Sequence, residues 1–558
     1  MPAIAISNND VALLAWKLDR KVPGCLGFSI YRRDLSGAET PLPAWVGFEG
    51  QSNPQWKAGT TAEWPVQKFT WRDLEAKHGE TYRYRITPMV GSPGALQPQA
   101  ALSLVTNAVT ITEKRGSFSA FFNRGILSTQ NLSHQMPDTA QGTPDFSSLL
   151  GRIDSPGDPL RNQLSGQLRE AMLGLFTRAK SQGLELYCAL YELTDPELLQ
   201  QLLAGRGLVH IILSNTGPDD AENAPARKAL HGAGVDVTDR MVAAGHIGHN
   251  KFAVLAEKGG AAGKAVWTGS TNWTDTGLCA QNNNGILVES PQLASAYLGY
   301  WKRLKADGSA QGAPFRASNQ TPVAVQIPGT LGVQAWFSPN TKQKTKPKNA
   351  ATPLDMAAVF AAMDGARNAI LFLVFQPGEP SIVDHAAEVQ DGKPNLFVRG
   401  AVTDPRAVDD FNTHLYHRSA SPAYAEVVAA SAVNDQFAYW EQELLKTRGA
   451  HAIIHDKIVV VDPLSPDCVV ITGSHNLGYR ASYNNDENLL IIRGNQELAQ
   501  AYATNVMDIY DHYRWRFTLQ KYGNKAWNGL ATVDSWQDKY FSPGSAASRE
   551  IAFWTKGS

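Results

Sequence analysis

Two short patterns recur in this chain, and they constrain its fold more than any other feature. His249-x-Lys251 opens the apolar run HNKFAVL at 249–255, and His455-x-Lys457 opens HDKIVVVD at 455–462. Each is followed by Gly-Ser-x-Asn: Gly269, Ser270 and Asn272 in the first copy, Gly473, Ser474 and Asn476 in the second. From Lys to Asn the interval is 21 positions in the first copy and 19 in the second. A paired pattern repeated at that spacing implies a duplicated structural unit.

The flanking sequence repeats as well. QLREAMLGLFTRAKSQG (167–183) has helical spacing, and LELYCALYEL (184–193) and LVHIILS (208–214) read as buried strands. LDMAAVFAAMDGARNA, then AILFLVF and NLFVRGAV, restate that order further on. Strands alternating with helices predict two α/β halves, 113–310 and 331–520. A Gly/Ser/Pro/Gln-rich linker is expected at 311–330 and a C-terminal extension at 521–558. Residues 403–450 read as mixed loops and helix, containing His414 and His417.

The spacing has a chemical meaning. Residues two apart on a strand share a face, so each His and Lys point the same way, as do Ser and Asn of each Gly-Ser-x-Asn. Each half thereby gathers an imidazole, an ammonium, a hydroxyl and an amide, a donor-rich pocket for phosphate oxygens. Two such pockets facing one another put two histidines across one phosphorus, one to attack and one to protonate the leaving oxygen.

This constellation resembles the phospholipase D superfamily, whose signature is His-x-Lys-x4-Asp followed by Gly-Ser-x-Asn. The resemblance covers roughly 114–520, with WFSP at 336–339 as a further family-like feature. It implies two α/β halves with the active site at their interface, and phosphodiester cleavage through a phosphohistidine without an obligatory metal or cofactor. The second copy keeps the whole pattern, with Asp462 five residues after Lys457. The first copy has Ala256 at that place, with Glu257 beside it. Eleven residues after Asn476 stands Glu487, and eleven after Asn272 stands Asn283, with Asn284 next to it. The resemblance implies that this position holds the imidazole of its own half. Glu487 would then raise the pKa of His455 and suit it to be the general acid, leaving His249 among amides as the nucleophile. The opposite reading makes His455 the stronger base and the nucleophile. His246, His451, Trp267, Trp273 and Tyr479 flank the motifs, and His475 lies inside the second one.

Residues 1–112 read as strands throughout: DVALLAWKL, LGFSIYRRD, VQKFTWRDL and TYRYRITPMV, separated by turn-forming clusters. Trp16, Tyr31 and the pair Tyr82-x-Tyr84 resemble a fibronectin type III sandwich. The expected architecture is thus an all-β sandwich followed by two similar phospholipase D-like α/β halves.

Composition narrows the chemistry. The 51 basic and 52 acidic residues leave a net charge of −1, so no global field attracts nucleic acid. The four cysteines are scattered, without metal-ligand spacing. The longest clean apolar run, AILFLVF, is far shorter than the ~18 residues of a membrane span. Within the resemblance, this neutral balance, the two unlike halves and the aromatics near the motifs favour a phospholipid substrate at a membrane or micelle surface, with water or another alcohol as acceptor and no transmembrane anchor. A nuclease is the alternative; its only visible basic track is Lys342, Lys344, Lys346 and Lys348. A degenerate lipid- or partner-binding protein is the third reading, motivated by Ala256. The N-terminus lacks signal-peptide features, which predicts the cytoplasm, with leaderless secretion as the other route.

Overall fold

The computed structural model describes residues 2–53, 55, 57–124, 149–216, 220–344, 346–348, 350–375, 378, 381–403, 427–430, 454–523 and 527–556. The predicted duplication appears in it as two eight-stranded mixed sheets of identical connectivity. The first contains β1 (Lys114–Arg115), β2 (Phe118–Phe122), β3 (Glu185–Leu190), β4 (Val209–Thr216), β5 (Asp236–Val242), β6 (Lys251–Ala256), β7 (Gly263–Gly269) and β8 (Asn284–Val288). Its order is β1-β2-β8-β7-β6-β3-β4-β5. The second contains β9 (Val323–Val325), β10 (Gly332–Ser338), β11 (Ala369–Val374), β12 (Phe397–Val402), β13 (Val427–Ala429), β14 (Lys457–Val461), β15 (Val469–Gly473) and β16 (Glu487–Arg493). Its order is β9-β10-β16-β15-β14-β11-β12-β13, the same path strand for strand. Residues 311–330, expected as a linker, include a short helix, Ala313–Ala317, and the edge strand β9.

After their opening lysines, β6 and β14 are apolar at every position because both faces of each sheet are covered. Phe252 and Val254 face an inner core shared with Ile458 and Val460, while Ala253 and Leu255 face the outer helices of the first half. Val459 and Val461 likewise face the outer layer of the second half. Helices Pro291–Asp307 and Gln496–Tyr522 contribute Tyr297, Trp301, Tyr502 and Val506 to the inner core, so the two sheets are bridged by one packed helical layer. Among the described residues no helix is long and apolar enough to cross a membrane.

The N-terminal strands form a three-stranded antiparallel sheet (Ala3–Ser7, Ala12–Trp16, Thr70–Asp73) against a larger one built on Cys25–Arg33 and Thr81–Ser92. Trp16 meets Phe28 edge-on at 5.2 Å, and Tyr84 donates its hydroxyl to Asp73 at 2.9 Å. The C-terminal residues close this core: Tyr540 lies 4.8 Å from Phe69, and Trp536 lies 5.9 Å from Phe28. The sheet also docks on the halves. Ile6, Leu13 and Ala15 belong to the inner core, and Arg72 pairs with Asp508 and Asp511 on the long helix.

Candidate active site

The two motif copies converge where the sheets meet. Leu190 pairs with Lys251 at the end of β3, and Val374 pairs with Lys457 at the matching end of β11. Each strand then delivers an aromatic residue: Tyr191 is 5.1 Å from the His249 ring, and Phe375 is 5.8 Å from the His455 ring. The two imidazoles face one another with ring centroids 6.3 Å apart. His249, Lys251, His455 and Lys457 are all buried. Each lysine donates to the carbonyl of its own histidine, Lys251 to His249 at 2.9 Å and Lys457 to His455. That bond fixes each ammonium beside its imidazole and leaves further N–H groups for a ligand.

The Gly-Ser-x-Asn turns are held by close backbone approach. Gly269 has φ 145° and Gly473 has φ 144°. A Cβ at either position would lie 2.3 Å from the Asn284 carbonyl oxygen or 2.4 Å from that of Asn488. Only glycine fits, for both reasons. The serine that follows is thereby turned inward. Ser270 donates to Asn283 at 2.8 Å and Ser474 to Glu487 at 2.7 Å, and both serines are buried.

The partners of the histidines correct the sequence expectation. Glu487 does not hold His455. It hydrogen-bonds Nδ1 of His249 through both oxygens, at 2.9 and 3.0 Å. Asn283 instead accepts from Nδ1 of His455 at 3.0 Å. The exchange has a backbone cause. Asp486 N donates to Ile247 O, and His455 N donates to Asn282 O, both at 2.9 Å. The segment before the last strand of each half is thus stitched to the chain just before the other half's histidine, and its next side chain reaches that imidazole.

Proton counting fixes the tautomers. Asn283 Nδ2 donates to Gly277 O and Gln281 Oε1, so Oδ1 is the acceptor for His455 and Nδ1 of His455 carries hydrogen. Glu487, ionised, accepts Nδ1–H of His249 in the same way, and each Nε2 is left for chemistry. Burial and the neighbouring ammonium groups hold both imidazoles well below the usual histidine range. Burial pushes Glu487 up to about 7 and draws Lys251 down to about 8. Lys457 also falls, through burial and then Lys251.

Asp462 stands apart from this cluster. Its carboxylate accepts the backbone N–H groups of Arg367, Asn368 and Ala369 at 2.7–2.8 Å, tying the end of β14 to the start of β11. The place taken in the first copy by Ala256 is therefore a fold position, and Glu257 points outward to Lys264. Asn272 is buried and Asn476 half-buried. Trp267 and Trp273 are core residues against Phe121 and Phe176. His475 turns away, to Asp355 at 3.1 Å. His246 bonds Gln311 and Asn484 near the rim. His414, His417 and His451 lie outside the described residues. Of the lysine loop, Lys344 donates to Ala310 O and Lys346 lies over the Tyr479 ring at 4.2 Å.

Sequence reasoning missed Tyr191, Phe375, Glu192 and Asp456. Aligning the two halves on LELYCALYE and AILFLVFQ would have revealed the aromatic pair and the polar residue after it. Asp456 is buried, and Ser270 Oγ lies 3.2 Å from its Oδ1. Ser270 thus donates to Asn283 and, at the longer distance, toward Asp456, whose carboxyl burial pushes up to about 8.

A family model described as the PLD-like domain of cardiolipin synthase matches residues 174–305 and 408–509. No curated protein matches. Among solved structures, a phosphatidylserine synthase from Haemophilus influenzae is similar at 13% identity over 62% of this chain and 85% of that one, with a TM-score of 0.41. Nuc, a phospholipase D family member from Salmonella typhimurium, matches at 21% identity over 25% and 87%, with a TM-score of 0.22. Yeast tyrosyl-DNA phosphodiesterase matches at 10% identity over 58% and 86%, with a TM-score of 0.30. The family-model match, which falls in both halves, supports the phospholipase D superfamily.

Proposed function

We propose that this chain cleaves phosphatidyl lipids on the head-group side through a phosphohistidine, giving phosphatidate. The observation that carries the reading is the pair of facing imidazoles, each fixed through Nδ1 with an ammonium beside it. In the first step His249 Nε2 attacks phosphorus. The bond from phosphorus to the head-group oxygen breaks, and His455 Nε2–H protonates that oxygen. In the second step His455 Nε2 takes a proton from water, whose oxygen attacks phosphorus. The P–N bond breaks and His249 is restored.

The roles follow from the crossed partners. A phosphorylated imidazole that keeps its Nδ1–H is cationic, and Glu487 is placed to stabilise that charge, as a carboxylate does for an imidazolium. This supports His249 as nucleophile on the opposite ground from the sequence argument. His455 enters the first step as the imidazolium, a state that the negative charge of the arriving phosphodiester favours; bonded only to a neutral amide, it then gives and retakes its Nε2 proton. Lys251, Lys457, Ser270, Asn272, Ser474 and Asn476 surround the phosphate oxygens or orient their neighbours, so the positive charge comes from the protein. Activity on a soluble short-chain substrate should survive EDTA; loss restored by a divalent ion would contradict the scheme.

The deciding experiment is adduct mapping. With a p-nitrophenyl phosphodiester, His455→Ala should accumulate a phosphoenzyme on His249, because nothing activates water. An adduct on His455 in His249→Ala, with none on His249 in the reverse variant, would invert the assignment. The cardiolipin synthase match favours one second reading, transfer of the phosphatidyl group to an alcohol in place of water. Adding glycerol to the assay and resolving phosphatidylglycerol from phosphatidate separates the two.

A further inference from the structure

Glu192 is a carboxylate inside a site built for anions. It follows Tyr191 at the end of β3, and Asn272 Nδ2 donates to its Oε2. Its charge acts on both Lys251 and Lys457. One role is therefore clear: it holds the Asn272 amide in a fixed orientation. That role uses only one oxygen. Among the described residues Oε1 carries no hydrogen bond, and Glu192 is half-buried while the groups around it are buried. Glu222, exposed on the turn before helix Ala224–Gly232, adds a second negative charge that Glu192 feels. A site that must attract phosphate thus carries a carboxylate beside one of its amide donors. For a ligand with only phosphate and neutral hydroxyls this placement is a cost. By sequence the matching residue of the second half is Gln376.

We infer that Glu192 Oε1 receives an ammonium N–H from the alcohol portion of the substrate, making this an enzyme for amino-alcohol phosphodiesters of the ethanolamine type. The inference rests on the proposed phosphodiesterase reading and adds its head-group chemistry. A primary ammonium fits better than a quaternary one, because an unpartnered carboxylate oxygen gains a charge-assisted hydrogen bond only from an N–H. The ethylene spacer of ethanolamine places nitrogen a few ångströms from the phosphate, the scale over which Glu192 sits beside the phosphate-binding Asn272.

The test compares kcat/KM for dihexanoyl phosphatidylethanolamine and dihexanoyl phosphatidylglycerol, together with the deacylated glycerophosphodiesters of the same head groups. The native chain should favour the ethanolamine esters. Glu192→Gln should lower the ethanolamine-to-glycerol ratio by about tenfold or more, and Glu192→Lys should invert it. The ratio is independent of the folded fraction, so a poorly folding variant still reports. Equal losses on both head groups would make Glu192 only the positioning residue for Asn272 and overturn the inference. A native chain without head-group preference would overturn it as well. Preference among the deacylated diesters with no lipid turnover would uphold Glu192 and refute the lipid reading instead.

Discussion

Glu487 and Asn283 sit on opposite histidines, and exchanging their chemistry should exchange what the histidines do. Glu487→Gln removes the charge that stabilises a phosphorylated His249 and presents an amide that can donate to Nδ1, moving the imidazole hydrogen to Nε2. Turnover should fall about 10²–10⁴-fold, as when a dyad carboxylate becomes an amide; a loss under threefold would exclude it as the partner of the nucleophile. Asn283→Asp adds a carboxylate to His455 and raises its pKa. The general acid then stays protonated to higher pH, so the alkaline limb of the pH–rate profile should move up. An unmoved limb would mean that His455 is not the acid. Asp462 makes the contrasting case. Its three accepted N–H groups and its φ of 49° describe a loop clamp. Asp462→Ala should cost about 1–3 kcal/mol in urea unfolding while kcat of the folded protein holds. A catalytic loss without a stability loss would return Asp462 to the site.

Among the elements, the turn closing β15 matters most. Gly473 brings the chain against Asn488, and Asn488 donates to Asn250 and Ser474 while accepting from Thr268 and Tyr297. A single asparagine thus fastens the last strand of one half to β7, to the residue before β6 and to a helix of the other. Gly473→Ala forces a methyl group toward a backbone oxygen at a φ that alanine avoids, so destabilisation should exceed about 1 kcal/mol. Ser474 would be displaced with it, and kcat should fall by more than stability alone explains. Full activity would show that the turn tolerates a shift the geometry forbids.

For the whole molecule, the position of the N-terminal sheets changes an expectation. A catalytic centre confined to 114–520 suggests that residues 1–112 can be deleted without loss. The structure points the other way. Ile6, Leu13 and Ala15 are part of the inner core, and Arg115 donates to Ser7 O. Phe69 and Phe28 hold Trp536, Tyr540 and Phe541 of the C-terminal residues. Deletion would strip both core and chain terminus of their cover, so the truncated chain should lose its cooperative thermal transition. A soluble truncation with a cooperative melt would show that the halves fold alone. Arg72→Ala is the milder probe: losing the pairs to Asp508 and Asp511 should lower the melting temperature without changing KM.

The sequence by itself determined the duplication, the α/β character of both halves and the two histidine–lysine pairs of the centre. It could do so because strand period and motif spacing are local properties, although each histidine lies two residues before its strand begins at Lys251 or Lys457 and is tied to that lysine by the carbonyl bond. Ala256 looked like a lost catalytic feature because a motif states which residues recur and not what they touch. Only the tertiary structure decided that Glu487 serves His249 and Asn283 serves His455, since that pairing comes from backbone bonds between halves, Asp486 to Ile247 and His455 to Asn282. Sequence distance carries no trace of such a crossing. The same holds for Glu192, ordinary at the end of a strand until Asn272 is folded against it, and for the N-terminal strands. Their alternation announced two sheets, but the docking of those sheets on the halves depends on which apolar surfaces remain uncovered once both halves have packed.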